Sequence, residues 1–207
     1  MIAMAFLMIA SSCQAMQFSA DEFPWVKSGD VLYQTTFGLD EAGLERSTNA
    51  YETKGPSSEG YLILVKPAEA RAWSLVPKNY SNTTINVDLQ YLEGAGDALA
   101  GIICRFTDRD NFYAFVVTRS GLAAILLNAN GKLTELAATT IPEIALSSSF
   151  ELEAFCSVNE LALTYEGTTL ITIQDETHSR GNAGLLLQTG ITPQASVLFK
   201  ELTITKP

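Results

Sequence analysis

Four side chains have the type and spacing to hold a ligand: Arg105, Tyr113 and Phe115 within Gly101–Arg119, and Trp73 upstream. Aromatic rings give an apolar platform on which a sugar ring or a partner's apolar patch rests. A guanidinium adds donors in a fixed fork. The run Phe112–Arg119 is apolar on both faces, with Phe112, Ala114 and Val116 on one and Tyr113, Phe115 and Val117 on the other. A strand in a sandwich needs only one apolar face. The second face is therefore either covered, by the segment around Trp25 or loops near Trp73, or it binds something.

Other polar groups carry less. Asp108-Arg109-Asp110-Asn111 resembles the start of a calcium loop, but it lacks the glycine and distal glutamate of an EF-hand and reads as a tight turn. His178 is the single histidine, and no Gly-x-Ser-x-Gly motif accompanies it, so a nucleophilic triad has no support. Two lone cysteines and one histidine make no metal ligand set, and neither metal nor other cofactor is expected.

The net charge of −10 on 207 residues leaves no basic stripe to displace counterions from phosphate, which excludes nucleic acid as a partner. Apolar residues are 47% and charged residues only 17%, a balance common in secreted β proteins. Residues 1–13 run MIAMAFLMIASSC, an apolar stretch with small residues before Cys13. This resembles a bacterial lipoprotein signal with its lipobox, although no Lys or Arg precedes it. A plain cleavable signal is the alternative. Ten to twelve apolar residues fall short of the roughly 20 that span a bilayer. Cys13 is thus the expected lipid anchor, and residues 14–30 a tether whose Phe23 and Trp25 pack on the domain.

From Val31 onward, short strand-like runs recur between turn signals such as Gly94-Ala95-Gly96, Asn130-Gly131 and Glu166-Gly167. Alternation is clearest in Thr83–Leu92, where Ile85, Val87, Leu89 and Tyr91 share one face and Asn86, Asp88 and Gln90 the other. About a dozen such runs predict an all-β, two-sheet antiparallel β-sandwich over residues 31–207. Val197 and Phe199 are out of phase with Leu202 and Ile204, which predicts a β-bulge near Lys200-Glu201.

The order Gly-Ile-Ile-Cys-Arg-Phe, Asp-Arg-Asp-Asn-Phe-Tyr-Ala-Phe-Val-Val and then Gly121 is similar to concanavalin A-like (laminin-G-like) jelly-roll domains of bacterial surface proteins. So is Phe150–Cys156 followed by Asn159–Gly167, Leu170–Asp175 and Gly181 with Gly184-Leu185. The resemblance implies a jelly roll; it does not choose among lectins, glycosidases and adhesion modules. Family 16 glycoside hydrolases of this superfold use Glu-x-Asp-x-x-Glu. Here Glu151 and Glu153 meet a Cys at the last position, with core-facing parity, so a solvated outer face explains the pair. Cys104 and Cys156 each fall on a strand face with large apolar residues, Ile102 and Phe106 for one, Phe150 and Leu152 for the other. In an exported protein they read as a disulfide rather than two free thiols.

The expected function is a non-catalytic, envelope-anchored module that binds a glycan or a surface protein on a concave sheet. The alternatives are a glycoside hydrolase of the same superfold and a structural adhesion module.

Overall fold

The computed structural model describes residues 19–38 and 43–207. The expected anchor at Cys13 and the first part of the tether lie outside the described residues. Among the described residues a 3-10 turn, Ala20–Glu22, precedes fifteen strands: β1 Val31–Thr35, β2 Ser47–Thr48, β3 Glu52–Ser57, β4 Gly60–Val65, β5 Arg71–Tyr80, β6 Thr83–Glu93, β7 Leu99–Asp108 and β8 Asn111–Thr118, then β9 Leu122–Ala129, β10 Lys132–Thr140, β11 Ser149–Ser157, β12 Glu160–Tyr165, β13 Thr168–Gln174, β14 Gly181–Gln188 and β15 Ala195–Thr205.

They form two antiparallel sheets. One runs β13-β12-β11-β6-β15-β4-β3-β2, with β1 also on β15; the other runs β10-β9-β8-β7-β14-β5. Between them lies the main core. As the alternation predicts, Ile85, Val87, Leu89 and Tyr91 point into it and are buried. The register of β15 on β6 shifts between Phe199 and Glu201, which is the predicted bulge. Two strands, β2 and β3, were not predicted. Glu52–Ser57 is polar and holds Gly55-Pro56, both strand-averse. Pro56 is tolerated because β2 pairs only as far as Thr53 and Lys54, so no neighbour needs its missing N–H.

Cys104 on β7 and Cys156 on β11 form the expected disulfide. It joins the two sheets through the core, where both residues are buried.

The tether does not pack as expected. Trp25 is 71% exposed, and Phe23 stacks on it instead of entering the domain. Ser19–Asp30 is held by polar groups. Asp21, buried, accepts the backbone N–H groups of Ser81 and Asn82 at 2.8 and 2.9 Å, and Lys206 Nζ donates to the Asp21 and Val26 carbonyls.

Candidate functional site

The six-stranded sheet has apolar residues on both faces, and the side that enters the core is the opposite of the one an open platform requires. Tyr113 and Phe115, expected to meet a ligand, are fully buried in the main core with Val117. The outward residues are their neighbours Phe112, Ala114 and Val116, which join Ile103, Phe106, Ala124, Leu126 and Leu186 in a second cluster. Simple alternation could not rank two equally apolar faces.

Arg105 is also removed from the list of contacts. It is 2% exposed and sits in a bulge, with φ +52° and a register break between Cys104 and Asp108. The extra residue turns Phe106 away from the face of Ile102 and Cys104, where it was expected, to the outer cluster. The guanidinium folds inward. Its Nε and one terminal nitrogen donate to the Ser81 carbonyl at 3.2 and 3.0 Å, and the other donates to the His178 carbonyl at 2.9 Å. Burial lowers its pKa, with Tyr113, Asp21 and Asp175 opposing. Arg105 splices the β5–β6 turn to the loop before β14.

That loop carries a polar network. The Tyr113 hydroxyl donates to Asp175 Oδ1 and accepts from the His178 backbone N–H at 3.0 Å. Burial, then its bond to Asp175, pushes Tyr113 up to about 12. The His178 ring meets Tyr113 edge-on and bonds through Nε2 to the Asn128 carbonyl at 2.8 Å.

Of the four predicted contacts, only Trp73 reaches the outer face. From the edge strand β5, its ring lies 5.6 Å from Phe106 on β7 and 6.5 Å from Phe112 on β8. Three strand spacings amount to about 14 Å, so the side chains lean together across the sheet. Lys54 Nζ, on β3 of the other sheet, fixes the Trp73 carbonyl at 2.8 Å.

Beside Trp73 opens a pocket of about 330 Å³, lined by Glu69, Arg71, Trp73, Arg109, Asp110, Asn128 and Gly131. The Arg71 guanidinium stands 6.0 Å over the Phe112 ring. Partial burial, then the Arg109 charge, lowers its pKa, with Asp110 opposing. Asn128 is 1% exposed; its Nδ2 donates to the Arg109 carbonyl at 3.0 Å, while its Oδ1 is buried without a partner. The pocket thus offers an aromatic side chain, two guanidiniums and two carboxylates, with the buried Asn128 bracing one wall. Such a mixture can clasp the paired hydroxyls of a sugar while its apolar side meets the ring. Arg71, Arg109 and Asn128 escaped sequence reading because they come from three separate segments. Asp108, in contrast, is spent on its own turn, accepting the Asp110 N–H and the Asn111 amide.

The outer face of the nine-stranded sheet is polar. Asp88 on β6 lies opposite Glu151 on β11 and Glu201 on β15. These three carboxylates, with Asn86 and Thr203, line a groove of about 270 Å³. Glu153 shares the outward side with Glu151, and Cys156 points inward as expected.

No family model matches the chain, and no curated protein sequence matches it. Solved structures do. Carbohydrate binding module CBM66 from Bacillus subtilis is 19% identical with a TM-score of 0.68, covering 82% of this chain and 99% of that one. A protein of unknown function with a galectin-like fold, also from Bacillus subtilis, is 10% identical with a TM-score of 0.63, covering 87% and 97%. The Bacillus licheniformis β-glucanase is 10% identical with a TM-score of 0.61, covering 87% and 100%. The shared architecture is the concanavalin A-like jelly-roll sandwich. At these identities the likeness extends to the fold alone.

Proposed function

We propose that the chain is a non-catalytic binding module that holds a glycan in the Trp73 pocket, and that it is exported and anchored in the cell envelope through a lipid on Cys13. The observation that carries the glycan reading is the pocket itself. An indole stands beside Arg71, Arg109 and Asp110 in one cavity, so an apolar ring and charged hydrogen-bonding groups face the same space. The carbohydrate binding module of the same fold supports it. The disulfide supports export, since such bonds persist in oxidising compartments.

A glycan array probed with the full chain tests the reading. Binding is expected, and Trp73→Ala should weaken it about tenfold, because an aromatic contact is worth roughly 1.5 kcal/mol. Silence across the array, or binding indifferent to Trp73, overturns it. Capture of a surface protein through the same pocket would favour an adhesion module instead.

A second reading, a glycoside hydrolase, rests on the row Glu151–Asp88–Glu201. Directly opposed residues stand about 5 Å apart at Cβ, close enough for their carboxyl groups to adopt the roughly 5 Å separation of a retaining pair. Release of reducing ends from a polysaccharide, abolished by Asp88→Asn, would establish it in place of the first.

A further inference from the structure

At one end of the sandwich the described chain begins, and there it is clamped. Asp21 caps the β5–β6 turn through the N–H groups of Ser81 and Asn82, and Lys206 grips the Asp21 and Val26 carbonyls. Gly29 and Asp30 exchange backbone bonds with Lys206, which leads the chain into β1. The clamp is polar and centres on the buried Asp21, while the rings of Phe23 and Trp25 that it carries are exposed. Phe23 and Trp25 stack with centroids 4.9 Å apart, and Trp25 is 71% exposed.

Val158 adds to the same end. It sits in the β11–β12 turn, is 74% exposed, and donates its N–H at 2.7 Å to the side chain of Asn82, the residue whose own N–H Asp21 accepts. Val31, 57% exposed, follows the clamp at the start of β1. A segment fixed this firmly has no need to hold an indole in water unless the indole has somewhere to go.

We propose that this end is a membrane-docking surface, with the Phe23–Trp25 stack and Val158 seated at the headgroup level of a bilayer. The proposal rests on the anchored reading of Cys13. Six residue steps separate Cys13 from Ser19, at most about 20 Å of extended chain. A lipid on Cys13 therefore brings this end, rather than the opposite one, against the membrane. Indole rings favour the interface, where an apolar body and a polar N–H are both accommodated. The net charge of −10 disfavours an anionic surface, so the lipid is zwitterionic and the contact is apolar.

The test uses the full chain, carrying its lipid, in phosphatidylcholine vesicles. Trp73→Phe leaves Trp25 as the single indole. Its emission should shift to the blue, be quenched by bromine-labelled acyl chains and be shielded from aqueous acrylamide. Phe23→Ser with Val158→Ser should restore quenching by acrylamide while the protein stays on the vesicles. The converse variant, Trp25→Phe, reports Trp73, which should remain unquenched by the bromolipid. Vesicle-bound protein whose Trp25 stays open to acrylamide overturns the docking surface and leaves the anchor standing. Protein that does not sediment with vesicles overturns both.

Discussion

The ring of His178 and the backbone of Asn128 are joined by one hydrogen bond, Nε2 to carbonyl oxygen at 2.8 Å. A carbonyl can only accept, so Nε2 carries the proton. The bond ties the loop before β14 to the end of β9, where the Asn128 amide in turn holds the Arg109 carbonyl. His178 does not itself line the Trp73 pocket, but its bond to Asn128 fixes the strand end that forms one wall.

His178→Ala should therefore weaken glycan binding about three- to tenfold without removing a ligand contact, the equivalent of one ordinary hydrogen bond at about 1 kcal/mol. His178→Gln, which retains a donor, should recover part of the loss. Calorimetric titration of the three proteins with one array-identified glycan measures this. Equal affinities would mean that the wall stands without the histidine.

Arg105 acts on stability. Its guanidinium makes three bonds to two carbonyls in a nearly sealed site. Arg105→Met keeps much of the apolar stem but leaves the Ser81 and His178 carbonyls unsatisfied. A cost of about 2–4 kcal/mol is expected, as for loss of bonds to a buried charged donor. Urea unfolding at neutral pH reads it directly. A loss below about 0.5 kcal/mol, together with lost glycan binding, would return Arg105 to the ligand.

The reason Arg105 reads as a contact in the sequence is instructive. Alternation through Ile102, Cys104 and Phe106 is valid up to the cysteine. One residue with φ +52° then breaks it, and nothing in the sequence Cys104-Arg105-Phe106 announces a left-handed arginine. The bulge in β15 was legible because its apolar residues change phase on either side. Both phases are apolar in β8 and around Cys104 in β7, so neither the β7 bulge nor the inward face of β8 could be read. The sandwich and the Cys104–Cys156 pairing follow from local patterns and were legible. The pocket follows from separate segments meeting on one face of the sheet, which no local pattern encodes.

The disulfide closes a loop of 52 residues between the two sheets. In the chain-entropy model such a closure stabilises the fold by about 4 kcal/mol. Cys104→Ala with Cys156→Ala should lower the urea midpoint accordingly, and thiol labelling of the unreduced, denatured protein should find neither residue. Labelling at Cys104 or Cys156 would show that the bond does not form in the exported protein.

Acid should weaken the Tyr113 network in a predictable direction. Partial burial works against the Asp175 charge, but the Tyr113 hydroxyl and the Thr177 N–H outweigh it, so the carboxyl is held below its usual 3.8. A carboxyl with a depressed folded pKa contributes stability above its unfolded value and loses it as pH falls through the folded one. Asp175→Asn resembles the protonated state. Wild type should therefore be the more stable at pH 7, and the difference should shrink as pH falls below the usual 3.8 and the wild-type carboxyl protonates. Tyr113 works in the opposite direction. Its pKa is raised to about 12, so its contribution is complete below the usual phenol value and fades only as pH rises through 12. Between pH 5 and 9, Tyr113→Phe should consequently cost a constant amount. Paired urea titrations across pH 2–9 measure both variants. A wild-type advantage over Asp175→Asn that persists undiminished at pH 2 would show that Asp175 is not held ionised by the tyrosine.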